Sequence, residues 1–206
     1  GSYVYAGEGE VMEQRNWHRQ TSVHNTVTLD NKNLETTESV TKLWQPEGNI
    51  QTLVTENPSY KNFKHRRSVF FVDNTYFVIV DEVSGSAKGS VNLHYQMPKG
   101  EIANSREDMT FLTQFEDGSN MKLQCFGPEG MSMKKEPGWC STAYRKRYKR
   151  MNVSFNVKKD NENAVRYITV IYPVKKSADA PKFDAKFKNK AFDENGLEVE
   201  VKVNGK

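Results

Sequence analysis

The chain has 206 residues, a mass of 23.7 kDa and a formal net charge of +4. This length fits one domain, because single domains run to roughly 250 residues. A chain of this size can bury about 70% of its unfolded surface without metal or disulfide support. The mean hydropathy of −0.79 is low, but 11% of the residues are aromatic, which excludes disorder over the whole chain. No apolar run approaches the roughly 18 residues of a membrane-spanning helix, so no membrane span is expected.

No convincing helix is predicted, and the only helix-like spacing is short, from Glu10 to Arg19 near the start of the chain. Beyond it the hydrophobic pattern has a period of two almost throughout, which predicts strands. Asp73-Asn74 separates two of these strands, and both residue types tolerate the positive φ of a tight hairpin turn. The predicted strands are Asn25–Leu29, Val40–Trp44, Ile50–Thr55, Ser68–Val72, Thr75–Asp81, Val91–Met97, Met109–Phe115, Met121–Phe126, Val153–Val157, Val165–Tyr172, Phe183–Phe187 and Leu197–Val203.

About a dozen short strands with turn residues between them predict an all-β fold, an antiparallel β-sandwich, formed by residues 1–206 as a single domain. The segment from Gly127 to Tyr148 contains two prolines and three glycines. It is predicted to be the longest irregular loop and to lie on the surface.

Two dense basic runs, Lys61–Arg67 and Arg145–Arg150, stand out from the modest net charge. Such runs can face an anionic polymer, but from charge alone a pair of solvated loops is the favoured alternative. Cys125 and Cys140 match no metal-ligand spacing and form no CxxC motif. A disulfide between them is open in an oxidising compartment, and two separate buried thiols are favoured.

The four histidines are His18, His24, His65 and His94. They belong to no HExxH or H-x-H motif, so a structural hydrogen-bonding role is favoured for each. Three tryptophans, at positions 17, 44 and 139, are candidates for a sugar-stacking platform. Burial in the core is the favoured alternative for them.

The segment Arg15–Asp30 carries the pattern R-x-W-x-R-x-T-x-x-H-N-T-V. This pattern resembles the signature of the heparinase II/III family of polysaccharide lyases, in particular its heparan sulfate lyases. Three further stretches resemble family segments in the same order, namely Gly1–Gly7, Arg66–Asp81 and Pro137–Ser141. The resemblance therefore extends over nearly the whole chain.

The resemblance implies that this chain is a C-terminal β-sandwich, and that a helical toroid domain outside this chain forms the other side of the substrate cleft. The implied reaction is β-elimination at a uronic acid of a heparan sulfate or heparin-type polysaccharide. The family's catalytic residues lie on the toroid and in segments upstream of this chain, so no catalytic residue is expected here and the isolated chain is expected to be inactive.

The resemblance also implies the candidate site residues. His24 matches a ligand of the family's divalent metal, zinc or calcium, and the metal site is expected to be incomplete in this chain. Arg15 and Arg19 are the candidates for binding sulfate or carboxylate groups, because a guanidinium binds such groups through two parallel hydrogen bonds. Ion pairs of these arginines with Glu10 or Glu13 are an equally weighted alternative. Tyr3 and Tyr5 are expected to line an aromatic wall of the cleft.

The expected partners are an acidic polysaccharide and the toroid domain, with neither nucleic acid nor a membrane among them. The first five residues lack the charged and apolar regions of a signal peptide, so an export signal is expected to have been removed or to lie upstream. By resemblance the protein is expected in the periplasm of a bacterium or outside the cell. The alternative function is a non-catalytic glycosaminoglycan-binding module, and a third hypothesis makes the sandwich a packing partner of the toroid.

Overall fold

The structure, a computed structural model, describes residues 8–144 and 146–205, with only the backbone described for Ser177. Tyr3 and Tyr5 lie outside the described residues. The described part contains one α-helix, two short 3₁₀ turns and fourteen β-strands. Its helices are too short and too polar to span a membrane.

The helix α1 spans Glu10–His18, and the 3₁₀ turns span Thr21–Val23 and Ser177–Asp179. The strands in chain order are β1 Val27–Leu29, β2 Val40–Gln45, β3 Ile50–Tyr60, β4 Phe63–Val72, β5 Tyr76–Ser84, β6 Gly89–Gln96, β7 Ile102–Ser105, β8 Thr110–Thr113, β9 Asn120–Phe126, β10 Ser132–Ala143, β11 Lys146–Lys159, β12 Val165–Val174, β13 Phe183–Phe187 and β14 Val199–Val203.

The strands form a four-stranded sheet, an eight-stranded sheet and a separate hairpin. The four-stranded sheet has the order β1-β6-β11-β10, and the eight-stranded sheet has the order β2-β3-β4-β5-β12-β9-β8-β7. Every pairing is antiparallel, and β13 pairs with β14 alone. The predicted antiparallel β-sandwich is therefore confirmed.

The main core lies between the two sheets and follows from the alternation of apolar residues along each strand. In β6, Val91 and Leu93 are fully buried, and Phe155 of β11 packs into the same cluster. The eight-stranded sheet contributes Phe111 and Tyr167, which are also fully buried. The Tyr167 hydroxyl donates a hydrogen bond to the Val91 carbonyl at 3.2 Å, which joins the two sheets directly.

A second, smaller core lies on the opposite face of the eight-stranded sheet, under the β13–β14 hairpin. Val80 and Ile168 are buried there, and Phe187, Val199 and Val201 pack against them. The central strands β4, β5 and β12 are thus covered on both faces.

The Asp73-Asn74 turn between β4 and β5 is confirmed. Both residues have positive φ, 48° for Asp73 and 50° for Asn74, as a tight hairpin connection requires. The short helix-like spacing near Glu10 does form a helix, α1, although no convincing helix was predicted.

The predicted loop from Gly127 to Tyr148 is wrong, because most of it forms strand β10. β10 is the edge strand of its sheet, and an edge strand tolerates a residue such as Pro137 that has no N–H to donate. One of its faces is exposed, so its sequence looks more polar than that of a central strand. The short edge strand β7 was also not predicted, which raises the count from twelve to fourteen.

The interpretation of the two basic runs as solvated loops is also wrong. Most of the first run lies in β4, and Lys146–Arg150 lies in β11. Both cysteines are free thiols, Cys125 fully buried and Cys140 only half-buried. Burial raises the pKa of the Cys125 thiol. The favoured burial of the tryptophans is wrong, since Trp17 and Trp139 are half-buried and the Trp44 residue is 65% exposed.

Candidate functional site

The site begins where α1 ends. Arg19 follows the last helical residue, and its N–H donates to the Asn16 carbonyl at 3.2 Å. The chain then forms the 3₁₀ turn Thr21–Val23 and enters β1 at Val27. This path places the segment between α1 and β1 at one edge of the four-stranded sheet, where β1 is the edge strand.

An open groove of about 530 Å³ lies beside this segment. The structure brings two of the predicted site residues, Arg19 and His24, into its wall, whereas Arg15 is not among the lining residues. Arg19 is exposed and forms no ion pair with another described residue. The lining residues are Asn16, Arg19, Gln20, Thr21, His24, Thr26, Asn33 and Leu34.

The second wall of the groove, Asn33 and Leu34, was missed by sequence reasoning. The Asn33 side-chain oxygen accepts a hydrogen bond from the Thr21 N–H at 2.8 Å, and the Leu34 N–H donates to the Thr21 hydroxyl at 2.9 Å. Asp30 and Asn31, both with positive φ, turn the chain back toward this wall. The turn has a sequence signal, because Asp and Asn tolerate such backbone angles, but the pairing with Thr21 has none.

His24 has one ring nitrogen engaged and the other available. Its Nδ1 lies 2.8 Å from the Gln20 carbonyl oxygen. Because a carbonyl oxygen can only accept, Nδ1 donates, and in the neutral ring the lone pair resides on Nε2. Metal-ligating histidines have the same arrangement, with the second ring N–H held by a carbonyl or carboxylate. The exposed His24 side chain therefore fits the role of a single metal ligand.

Within residues 8–144 and 146–205, no group of three or more His, Cys, Asp or Glu side chains is placed to hold a metal ion. A protein zinc site needs at least three protein ligands. His24 is thus a single candidate ligand, and the metal site remains a prediction.

The alternative pairing of Arg15 or Arg19 with the acids of α1 is not seen among the described residues. Glu10 accepts a hydrogen bond from Gln14 at 2.9 Å and lies 3.4 Å from the Arg147 guanidinium. Arg15 is half-buried, and its Nε has no hydrogen-bond partner.

His65 and His94 are structural, as predicted. His94 is buried and lies 2.8 Å from the Thr28 hydroxyl, and burial lowers its pKa to about 4. His65 is buried and donates to the Asp81 carboxylate at 2.6 Å.

Two of the three candidate stacking tryptophans meet in a separate groove of about 310 Å³, next to α1. Trp17 and Trp139 line it together with His18, and the Arg147 guanidinium lies 4.2 Å from the centre of the Trp139 ring. The third tryptophan lies on β2, in the other sheet. The three tryptophans therefore do not form one platform.

Comparison with known proteins agrees with this architecture. The family model for the heparinase II/III-like C-terminal region matches residues 1–186. A heparin-sulfate lyase of Bacteroides stercoris is 88% identical over the whole chain, which covers 31% of that relative. A solved heparinase III, the BT4657 gene product, has a TM-score of 0.97 at 99% identity, with all of this chain and 32% of that chain covered. The heparan sulfate lyase HepC from Pedobacter heparinus has a TM-score of 0.90 at 31% identity, with all of this chain and 32% of that chain covered.

These matches define an antiparallel β-sandwich of the polysaccharide-lyase type. The chain belongs to the heparinase II/III family and corresponds to its C-terminal region. It spans about a third of the length of the curated relatives it matches.

Proposed function

We propose that this chain is the C-terminal part of a lyase that cleaves heparan sulfate or heparin-type glycosaminoglycans by β-elimination at uronic acid residues. The observation that carries the proposal is the groove in which Arg19 and His24 lie together. Its support is the 88% identity to a protein named heparin-sulfate lyase over the full length of the chain.

Arg19 binds a sulfate or carboxylate group of the polysaccharide. The guanidinium group forms two parallel charge-assisted hydrogen bonds with such anions, a geometry that the lysine ammonium group does not offer. Arg19 is exposed beside an open groove and has no ion-pair partner among the described residues, so it meets an anionic ligand without first breaking an internal pair.

His24 supplies one ligand of a divalent metal, zinc or calcium, through Nε2. A bound metal ion there supplies fixed positive charge that holds its ligands in place. The Gln20 carbonyl fixes the His24 ring by accepting the Nδ1 hydrogen. The remaining ligands are proposed to come from the part of the enzyme that this chain does not contain.

β-Elimination needs a group that neutralises the uronate carboxylate, a base that removes the C5 proton and an acid that protonates the leaving oxygen. We assign none of these roles to this chain. They are proposed to lie on the helical toroid domain, which closes the cleft over the groove. Arg15, Tyr3 and Tyr5 are proposed as further contacts in this cleft, and the whole enzyme is proposed to act in the bacterial periplasm or outside the cell.

The test is a lyase assay that follows the ultraviolet absorbance of the unsaturated uronate product. The 206-residue chain is assayed alone and as part of the longer protein, with heparan sulfate as substrate and hyaluronan as the unsulfated control. We expect no product from the chain alone and product from the longer protein with heparan sulfate. Activity of the chain alone would contradict the absence of catalytic residues here.

If neither protein forms product but the chain stays on a heparin column at high salt, the result would instead favour the non-catalytic binding module. The column experiment needs a wild-type chain and an unrelated domain of similar net charge as control. Retention that depends on salt to the same degree for both would show that only net charge is being measured.

A further inference from the structure

A buried carboxylate lies close to residues 19–26, the groove segment, most of which line the groove. Asp81 of β5 is fully buried on the inner face of the eight-stranded sheet. It accepts hydrogen bonds from His65 Nε2 at 2.6 Å, from Arg67 Nε at 2.7 Å and from Arg67 Nη2 at 3.2 Å. Such a carboxylate fixes the guanidinium plane, because two parallel bonds leave that plane little freedom to rotate.

The third nitrogen of this guanidinium reaches the groove segment. Arg67 Nη1 donates a hydrogen bond to the Asn25 carbonyl oxygen at 2.6 Å. Asn25 stands between His24 and Thr26, and both of these residues line the groove. The eight-stranded sheet thus holds the backbone of the groove wall through one side chain.

The four-stranded sheet holds the same segment from the other side. The Gln96 N–H donates to the Asn25 side-chain oxygen at 2.7 Å, and the Gln96 side chain donates to the Ser22 carbonyl at 3.0 Å. Arg150 in turn donates to the Gln96 side-chain oxygen at 3.0 Å. Apart from the His94 N–H bond to the Thr26 carbonyl at 2.9 Å, the segment from Ser22 to Thr26 has no backbone pairing with either sheet, so these side chains supply most of its anchoring.

We propose that Arg67, held by Asp81, is a positioning residue that fixes the Asn25 backbone and thereby the His24 side of the groove. The assignment of the groove to polysaccharide binding rests on the proposed function, whereas the mechanical link does not. Arginine suits this role because its planar fork donates to a carboxylate and to a carbonyl at the same time. Lysine carries its three donors on one nitrogen and lacks the planar fork that bonds the carboxylate twice.

The same sheet offers a matched control. Arg166 of β12 donates to the Glu82 carboxylate at 2.8 Å and to the Asn189 carbonyl at 3.0 Å. This pair has the same chemistry and similar burial, but Glu82 is the neighbour of Asp81 and faces the opposite side of the sheet, toward the C-terminal hairpin. It makes no contact with the groove segment.

The test compares Arg67→Met, Arg67→Lys and Arg166→Met in the full-length protein that contains this chain. Hydrogen–deuterium exchange is measured on peptides that cover residues 20–27 and residues 185–200, and the kcat and KM of heparan sulfate cleavage are measured in parallel. Arg67→Met is expected to accelerate exchange in 20–27 about tenfold, because a charge-assisted hydrogen bond is lost, and to leave 185–200 unchanged. Its kcat/KM is expected to fall at least tenfold, since small displacements of a site wall are costly.

Arg67→Lys is expected to show a smaller change of the same kind, which keeps the test informative if Arg67→Met fails to fold. Arg166→Met is expected to accelerate exchange in 185–200 and to leave both 20–27 and kcat/KM unchanged. Unchanged exchange in 20–27 for both Arg67 variants would overturn the proposal, as would an equal loss of kcat/KM in Arg166→Met. If the wild-type protein shows no lyase activity, the proposed function fails, and the exchange measurement alone decides the positioning role.

Discussion

Asp81 and Glu82 are neighbours in β5, yet they serve opposite faces of the same sheet. Asp81 points into the sandwich and binds Arg67, which reaches the Asn25 carbonyl in the groove segment. Glu82 points toward the hairpin and binds Arg166, which reaches the Asn189 carbonyl between β13 and β14. The comparison shows that one strand can anchor two irregular segments through the same arrangement. In each case a buried carboxylate orients an arginine, and the arginine donates a hydrogen bond to a backbone carbonyl.

The two acids differ in their electrostatic environment. Burial alone would raise the pKa of Asp81, but the Arg67 charge and the hydrogen bonds from His65 and Arg67 outweigh it and lower that pKa to about 2. Burial raises the pKa of Glu82 more than Arg166 lowers it. One Glu82 oxygen is buried without a hydrogen-bond partner, whereas three donors surround the Asp81 carboxylate. The number of hydrogen-bond donors therefore explains why the buried charge of Asp81 is stabilised and that of Glu82 is destabilised.

The largest expected effect comes from neutralising each acid. Asp81→Asn is expected to lower the free energy of unfolding by about 3 kcal/mol, because it leaves the Arg67 charge without its counter-ion inside the protein. Glu82→Gln is expected to cost about 1 kcal/mol, because Arg166 keeps the carbonyl and side-chain oxygens of Asn189 as acceptors. Urea unfolding of the wild type and both variants at pH 7 measures the difference. Equal losses would show that the two pairs are equivalent and that the comparison is wrong.

The pH dependence of stability is the next effect in size. The pKa of Asp81 is lowered from 3.8 to about 2 in the folded state, so this state binds the proton less readily than the unfolded chain. Asp81 therefore contributes about 2 kcal/mol of stability at pH 7, which is lost as the pH falls from about 4 to about 2. Glu82, with a raised pKa, has the opposite sign: its destabilising contribution disappears as the pH falls toward 4.5.

Urea unfolding at pH 7 and pH 3 checks this prediction. The wild type is expected to lose more stability between the two pH values than Asp81→Asn does, while Glu82→Gln is expected to lose at least as much as the wild type. An Asp81→Asn profile parallel to that of the wild type would mean that the Asp81 pKa is not lowered by folding.

A smaller effect is expected on the hairpin side. The Arg166 guanidinium lies 3.7 Å from the centre of the Phe187 ring, a cation–π contact on the segment that Arg166 anchors. Phe187→Leu keeps an apolar side chain but removes the ring face, and a loss of about 1 kcal/mol is expected. A double-mutant cycle with Arg166→Met isolates the contact, since the cost of Phe187→Leu should then nearly vanish. An unchanged cost in the Arg166→Met background would assign the loss to packing alone.

How much of the structure the sequence predicts depends on how far apart in the chain the interacting residues lie. The central strand β6 alternates apolar and polar residues, and β12 is a run rich in β-branched and aromatic residues, so both were predicted although both are buried on two faces. β10 was missed because an edge strand with Pro137 and an exposed face loses that pattern. Arg19 and His24 were predicted as site residues because they share one short segment with a family signature, and the structure places both beside the same groove.

Arg67 and Asp81 also lie in a stretch that resembles the family, but that resemblance predicted only strands and no link to the groove. Arg67 lies 42 residues from Asn25 in the chain, and only the β4–β5 register places it opposite Asp81. In the sequence Arg67 belongs to a basic run, which suggested solvent rather than a buried partner. The placement of a charge inside a sandwich depends on strand register and on the other sheet, and neither is encoded locally.

The most direct test of the groove is the KM for heparan sulfate of Arg19→Gln in the longer protein that contains this chain. Arg106→Gln is the matched control, because Arg106 is equally an exposed arginine but lies outside the groove. The account predicts that Arg19→Gln raises KM about tenfold with little change in kcat, as expected when one charge-assisted contact to the bound polysaccharide is lost, and that Arg106→Gln leaves both constants unchanged. An unchanged KM for Arg19→Gln, or the same rise for both variants, would contradict the assignment of this groove.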